Sequence, residues 1–391
     1  MTPSIFRASL AWFAHLSLRR IITSNRFIPE VDGFRFLAII IVIISHIFVQ
    51  CVSLVPTGFF SGLFVGAFLD GRHGVYLFFT ISGFILALPF ARHHLEGSKP
   101  IALGSYFKRR ITRLEPPYVL AMLLRAPALL FLKKAAVVSV GIHLLASLFY
   151  VHNAIFAEYS TINPPAWSLE VEIQFYLLTP LLTSIFRIRS PALRRSVIVI
   201  VMIVSAVCSM AFIGRTGRMS LTLLNYFQYF AAGFLLCDLY LSKVHLSLPP
   251  LIWDAIGLLA LGWILVSSNP LYPILLPFAT ICLYMAGFFG RFVRGFFSVP
   301  AVSIIGGMCY SIYLTHTAVL SVITLLLDHI PMASWPQAVQ MTFIFTLCFS
   351  TILAIGTLFF VLIERPCMNP AWPQQLSAWL FRRSHKTPAT S

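Results

Sequence analysis

The sequence predicts an all-α polytopic membrane protein with about ten transmembrane helices, short re-entrant or interfacial segments, and both termini cytoplasmic. Three observations predict it. First, 59% of the 391 residues are hydrophobic and only 10% charged, and mean hydropathy is +0.88. Second, apolar runs of helix length recur along nearly the whole chain, without the apolar–polar alternation of outer-membrane strands. Third, the basic residues behind the formal net charge of +16 fall in short stretches between those runs. That is the positive-inside pattern of a chain partnered by the lipid bilayer, and no nucleic-acid-binding motif accompanies it, so nucleic acid is excluded as a partner. Seven cysteines (Cys51, Cys208, Cys237, Cys282, Cys309, Cys348 and Cys367) form no C-x-x-C pair and fit no closed disulfide framework. They read as small buried hydrophobes, with no metal site among them.

Residues 1–30 form a basic extension, read as a short interfacial helix with Trp12 and Phe13 on one side and Arg19 and Arg20 at its end. Arg7 and His15 interrupt its apolar residues, which argues against a signal peptide. The transmembrane domain covers 31–367, with apolar segments near 36–54, 74–90, 117–132, 136–150, 166–186, 196–213, 222–240, 251–267, 271–289, 303–327 and 338–363, and a cytoplasmic tail follows over 368–391. Cytoplasmic loops are expected to carry Arg92 to Arg113, Arg187 to Arg195, Lys243, and Arg291 with Arg294; "GRTGR" is the exception, with two arginines on the outside. Charge alternation requires an odd number of crossings between 113 and 155, yet two segments lie there, split by Lys133 and Lys134. One of 117–132 and 136–150 is therefore expected to lie in the interface or re-enter, both being shorter than the ~20 residues of a full span. The piece at 59–68 is too short to cross and is expected to cap the outer mouth. No internal repeat is clear, and no soluble stretch is long enough to fold alone.

The polar residues inside the apolar runs carry the chemistry. Arg35 and His46 are eleven apart, so on a helix they return to within about 20° of one face, roughly 16 Å apart along the axis. They would line one slot, and intramembrane ionisable groups are functional by default. The alternative is that Arg35 snorkels at the helix end and His46 sits at the far interface. Asp32 precedes this pair. Ser82-Gly83 reads first as a small-residue packing pair. Arg109, Arg110 and Arg113 share a basic helical face, serving either topology or as a clamp for phosphate oxygens. Glu170 and Glu172 are two apart and face different ways, so they are no joint acid–base pair; Glu172 shares its face with Ser168 and Tyr176. Trp167 suits an interface anchor. Tyr310, Ser311, Tyr313, Thr315 and His316 fall in one helix, where His316 reads first as a hydrogen-bonded core histidine. Glu364, in I-E-R-P, closes the last span at the cytoplasmic surface.

Six stretches in order resemble the acyltransferase-3 family of bacterial integral-membrane O-acyltransferases. They are D-G-x-R with its later H (Asp32, Gly33, Arg35, His46), G-x-x-L-F-F-x-x-S-G (Gly74 to Gly83) and R-x-x-R (Arg110, Arg113). W-S-L-x-V-E-x-x-F-Y (Trp167 to Tyr176), Y-S-I-Y-L-x-H (Tyr310 to His316) and E-R-P (Glu364 to Pro366) follow. Each is weak singly, and together they span residues 32–366; Cys309 stands where the family often carries serine. The resemblance implies transfer of an acyl group, commonly acetyl, from cytoplasmic acyl-coenzyme A to a hydroxyl of a carbohydrate or similar acceptor. It implies a bacterial inner-membrane location, no bound cofactor, essential roles for His46 and Arg35, and Arg110 and Arg113 near the donor. An imidazole suits removal of a hydroxyl proton, or carriage of the acyl group itself. Lipopolysaccharide, exopolysaccharide, peptidoglycan, a signalling oligosaccharide and a small glycoside are all compatible acceptors. The rival from another class is a transporter using intramembrane Arg, His and Glu as a substrate or proton pathway, and inverted repeats would favour it.

Overall fold

The computed structural model describes residues 18–21, 27–51, 70–132, 136–211, 217–242, 248–266, 271–332, 334–369 and 371–374. These residues form helices and contain no strand. Most of the expected interfacial helix, the 59–68 cap and most of the tail lie outside the described residues.

Helix α1 (Pro29–Cys51) starts well before the apolar run, so Arg35 stands inside the helix rather than at its end. Proline in the first turn fits the helix start, and Glu30 and Asp32 there complement the helix dipole. Helix α2 (Arg72–Glu96) stops at Gly97, whose positive φ of 68° lets its N–H reach the Arg92 carbonyl. Helix α3 (Leu103–Leu132) runs for 30 residues, so Lys108 to Arg113 are helical and not part of a loop. Pro116 cannot donate to the Thr112 carbonyl, and the indole N–H of Trp372 takes that acceptor instead at 2.9 Å. Helix α4 (Val137–Leu148) has only 12 residues. The ambiguity left by the charge pattern is resolved here: α3 is long enough to cross, and α4 is the short segment.

Helices α5 (His152–Phe156), α6 (Trp167–Leu182), α7 (Pro191–Ala211), α8 (Leu223–Leu241), α9 (Pro250–Val266) and α10 (Tyr272–Phe289) follow. Then come α11 (Phe292–Phe297), α12 (Pro300–Gly307), α13 (Cys309–Leu327) and α14 (Gln337–Phe359), the last continuing through a π-turn at Phe360–Glu364. Among the described residues nine helices are long and apolar enough to cross a membrane, and α9, with 17 residues, is a shorter tenth. The chain is a multi-pass membrane protein. Leu124, Leu181 and Leu259 point outward on the bundle surface, where lipid tails rather than water satisfy them.

Small residues set the closest approaches. A Cβ on Gly83 would strike the Phe230 carbonyl and Gly233, so α2 and α8 pack backbone to backbone as expected of a small-residue pair. A Cβ on Gly306 would strike the Asp32 carbonyl. That contact seats α12 against α1 and accompanies a break at Met308, so the apolar run at 303–327 is two helices and not one. Arg194 is a further correction to the loop reading. It begins inside α7, is 2% exposed, and shares the buried carboxylate of Asp238 with Arg195.

Candidate active site

Helices α1, α2, α3, α6 and α13 converge on two connected cavities. The larger, about 830 Å³, opens at the basic end and is lined by Arg20, Arg35, Arg92, Lys99, Arg109, Arg110 and Arg113, with no carboxylate in its lining among the described residues. The smaller, about 100 Å³, lies between Phe78, Phe79 and Ile85 on α2 and Glu172, Tyr176, Cys309 and Tyr313. Arg35, Arg110 and Arg113 border both, so these three guanidiniums form the threshold between them.

Each threshold arginine is held differently. Asp32, 1% exposed, accepts from Arg35 Nη1 and from Arg20 Nε, both at 2.7 Å. Arg20 lies outside the spans, and burial, with Arg35 nearby, lowers its pKa to about 10 despite Asp32. Arg113 faces Glu364 at 3.7 Å, matched in charge but beyond hydrogen-bond reach, so its donors stay available. Arg110 has its guanidinium carbon 5.6 Å from the Tyr176 ring centroid, a cation–π contact that occupies no N–H. Arg109 is exposed at the rim.

The remaining predicted residues fall into separate small networks. Glu172 accepts from Ser82 and from Tyr176 through the same carboxylate oxygen. Glu170 instead accepts from the Asn153 backbone at 2.9 Å, so the two glutamates do act apart. Ser168 Oγ and Tyr313 OH are 2.7 Å apart, and both lie within reach of the Pro165 carbonyl, at 3.3 and 2.8 Å. Trp167 is buried among Phe79, Tyr159 and Tyr226 and is no interface anchor. Glu364 is fully buried in the π-turn and accepts from the Ser311 N–H and hydroxyl at 3.1 and 2.6 Å.

His46 lines neither cavity. Ring contacts lead to it from the smaller one: Phe78 to Tyr313 at 6.2 Å, Tyr313 to His316 at 5.6 Å, His316 to His46 at 4.9 Å. A carbonyl oxygen only accepts. In the neutral ring, the contact of His46 Nδ1 with the Val42 carbonyl at 2.9 Å therefore puts the proton on Nδ1 and leaves a lone pair on Nε2. His316 is set the same way by the Tyr313 carbonyl at 2.7 Å, and its buried Nε2 has no partner. The expected core histidine is thus bonded on one side only.

Sequence reasoning passes over two residues. Arg20, read as the end of an interfacial helix, is the second partner of Asp32. Arg125, an arginine in the middle of the 117–132 apolar run, donates to Thr317 Oγ1 at 2.6 Å; its place in that run was the available signal. Among the described residues, three metal-ligating side chains gather at His143, His152 and Glu158. His143 Nδ1 and His152 Nε2 are 2.8 Å apart and share a hydrogen bond. Two nitrogens bound to one tetrahedral zinc at ~2.0 Å would stand about 3.3 Å apart, so this is a histidine pair as it stands.

Residues 28–360 match the family described as Acyltransferase domain. The chain belongs to that family. It is 31% identical over 167 residues to the O-acetyltransferase OatA of Staphylococcus aureus strain NCTC 8325 / PS 47, and equally to that of strain COL. Each match covers 40% of this chain and 25% of the relative, so the chain aligns with about a quarter of the length of these relatives. No solved structure matches it.

Proposed function

We propose that the protein carries an acyl group from cytoplasmic acyl-coenzyme A to a hydroxyl of a carbohydrate or similar cell-envelope acceptor, across a bacterial inner membrane. One observation carries the reading: a cavity lined, among the described residues, by seven cations and no acid adjoins, across Arg35, Arg110 and Arg113, a smaller one whose wall residue Tyr313 is joined by ring contacts through His316 to His46. The donor's phosphates suit the guanidinium forks of Arg110 and Arg113, with Arg109 at the mouth. The naming of the OatA relatives as O-acetyltransferases supports acetyl as the group and oxygen as its destination.

In this scheme the acyl arm enters the smaller cavity, where Phe78, Phe79 and Ile85 exclude water. His46 Nε2 takes the proton of the acceptor hydroxyl as its oxygen attacks the thioester carbonyl. The new C–O bond forms, the C–S bond breaks, and the thiolate takes up a proton to leave as free coenzyme A. The Val42 carbonyl holds the His46 ring in the tautomer that permits this. Arg35, oriented by Asp32, helps Arg110 and Arg113 hold the donor at the threshold. Ser82, Glu172, Tyr176, Ser168, Tyr313 and Glu364 position the cavity walls, Trp167 packs behind Phe79, and His316 backs His46.

Purified protein in nanodiscs is the test. Release of free coenzyme A from acetyl-coenzyme A, together with donor binding that falls in Arg110→Ala and Arg113→Ala, is expected. Binding unchanged in both variants would reduce the arginines to topology signals, and no thioester cleavage with any acceptor fraction would overturn the reading.

A further inference from the structure

Arg125 lies on the inward face of α3, in helical register with the buried Tyr118, Ala121 and Met122. Other arginines inside this bundle have a carboxylate: Arg20 and Arg35 share Asp32, Arg113 faces Glu364, Arg194 and Arg195 share Asp238. Among the described residues Arg125 pairs with no carboxylate, and its bond is to the neutral Thr317 hydroxyl at 2.6 Å. That hydroxyl is itself built to receive it. Its proton goes to Asn163 Oδ1 at 2.9 Å, and Asn163 is fixed in turn by donating to the Leu314 carbonyl at 3.2 Å. One of five guanidinium donors is used, the rest remain, and an unmatched charge at this depth in an apolar span is costly.

The position limits what can match it. Thr317 follows His316, whose ring is 4.9 Å from His46, so Arg125 reaches the level of the proposed base. Arg113 and Arg125 are twelve residues apart on α3, about 18 Å along its axis. The phosphates of a donor held at the basic end are therefore not the missing anion. The remaining reactant is the acceptor.

We infer that the acceptor carries an anionic group, a carboxylate or a phosphate, beside the hydroxyl it presents to His46, and that Arg125 pairs with it. The inference rests on the acyl-transfer reading above. A planar guanidinium with several free donors would hold such a group bidentately, fixing which hydroxyl meets Nε2 and discriminating against neutral sugars, which would leave the charge unmatched.

The acylated product decides it. Envelope glycans and glycolipids of a deletion strain and its parent, compared by mass spectrometry, are expected to differ in an ester on an acidic residue or on one adjacent to an acid. Reduction of carboxylates before analysis separates a uronate-type sugar from a phosphate-linked carrier. An ester lost from a neutral glycan overturns the inference, while no ester lost at all removes the acyl-transfer reading and this inference with it. In strains restored with Arg125→Gln, the ester should fall by roughly 30-fold or more, the low end for truncating one side of a buried charge pair. Purified Arg125→Gln should bind coenzyme A as the parent does, and Arg125→Lys should retain more ester than Arg125→Gln. Full esterification by Arg125→Gln overturns the inference. If Arg125→Gln loses coenzyme A binding as well, its fold is compromised, and the charge of the product decides alone.

Discussion

The two levels of the α1–α3–α13 cluster use similar side chains in opposite ways. At the basic end, three of the arginines are anchored by acids before any ligand arrives, Arg20 and Arg35 by Asp32 and Arg113 by Glu364. One level further along, His46 and His316 each spend Nδ1 on a backbone carbonyl and leave Nε2 open, and Arg125 has a hydroxyl where an acid would be expected. The difference separates holding from reacting. A polyanion can be held by cations kept in place by fixed acids, because it displaces none of them. A proton can be moved only by a group with an unused valence.

The largest effect should come from closing that valence. Removing a general base costs ~10²–10⁴ in rate. His46→Gln should lose transfer by that factor in a radiolabelled-acetyl assay while coenzyme A binding stays at the parental level. Parental transfer by His46→Gln would make the imidazole structural and erase the distinction between the two levels.

The fixed acids should answer to stability instead. Asp32→Ala leaves two guanidiniums facing a buried void, and breaking a buried pair in this way costs about 3–5 kcal/mol. Thermal unfolding in detergent should therefore begin well below the parental temperature. Asp32→Ala with parental unfolding would mean that Arg20 and Arg35 do not need their anchor.

Arg110 and Arg113 come next. A hydrogen bond to a charged group is worth about 1.5–3 kcal/mol, so alanine at either should weaken acyl-coenzyme A binding on the order of 10- to 100-fold in a titration. Arg113→Ala should also lower stability, since Glu364 loses its counter-charge. Arg110 is held by a ring and not by an acid, so Arg110→Ala should lower affinity alone.

The architecture was legible in the sequence wherever an apolar run was long and bounded by charge, as at α1, α2 and α14. Hydropathy reports burial and not backbone geometry, which is why it placed Lys108 to Arg113 in a loop and joined 303–327 into one helix. Helical periodicity put Arg35 and His46 on one helix, but not in one slot: Arg35 borders both cavities and His46 neither. The partners of Arg125 and Glu172 were not legible, because Thr317 is 192 residues from Arg125 and Ser82 is 90 from Glu172. Contacts at that separation belong to packing, and no local spacing encodes them. Ser160 illustrates the same limit. It sits in the loop expected outside, yet it is fully buried against Ser147, so the exposed Thr161 is the better cysteine-labelling position there.

Arg109 offers the smallest effect and the sharpest control. It shares the helical face of Arg113 and borders the large cavity, but its side chain is exposed. Exposed ion pairs are worth roughly 0–1 kcal/mol and are screened within about 10 Å at 0.1 M salt. Arg109→Ala should therefore change equilibrium affinity for acyl-coenzyme A by less than about five-fold. What it should change is association, slowing the on-rate at low ionic strength and flattening its salt dependence, as rim charges do. Stopped-flow binding at two salt concentrations separates the cases. If Arg109→Ala instead lowers affinity as far as Arg110→Ala and does so independently of salt, the rim closes on the donor. The basic end would then be a moving clamp rather than a fixed one.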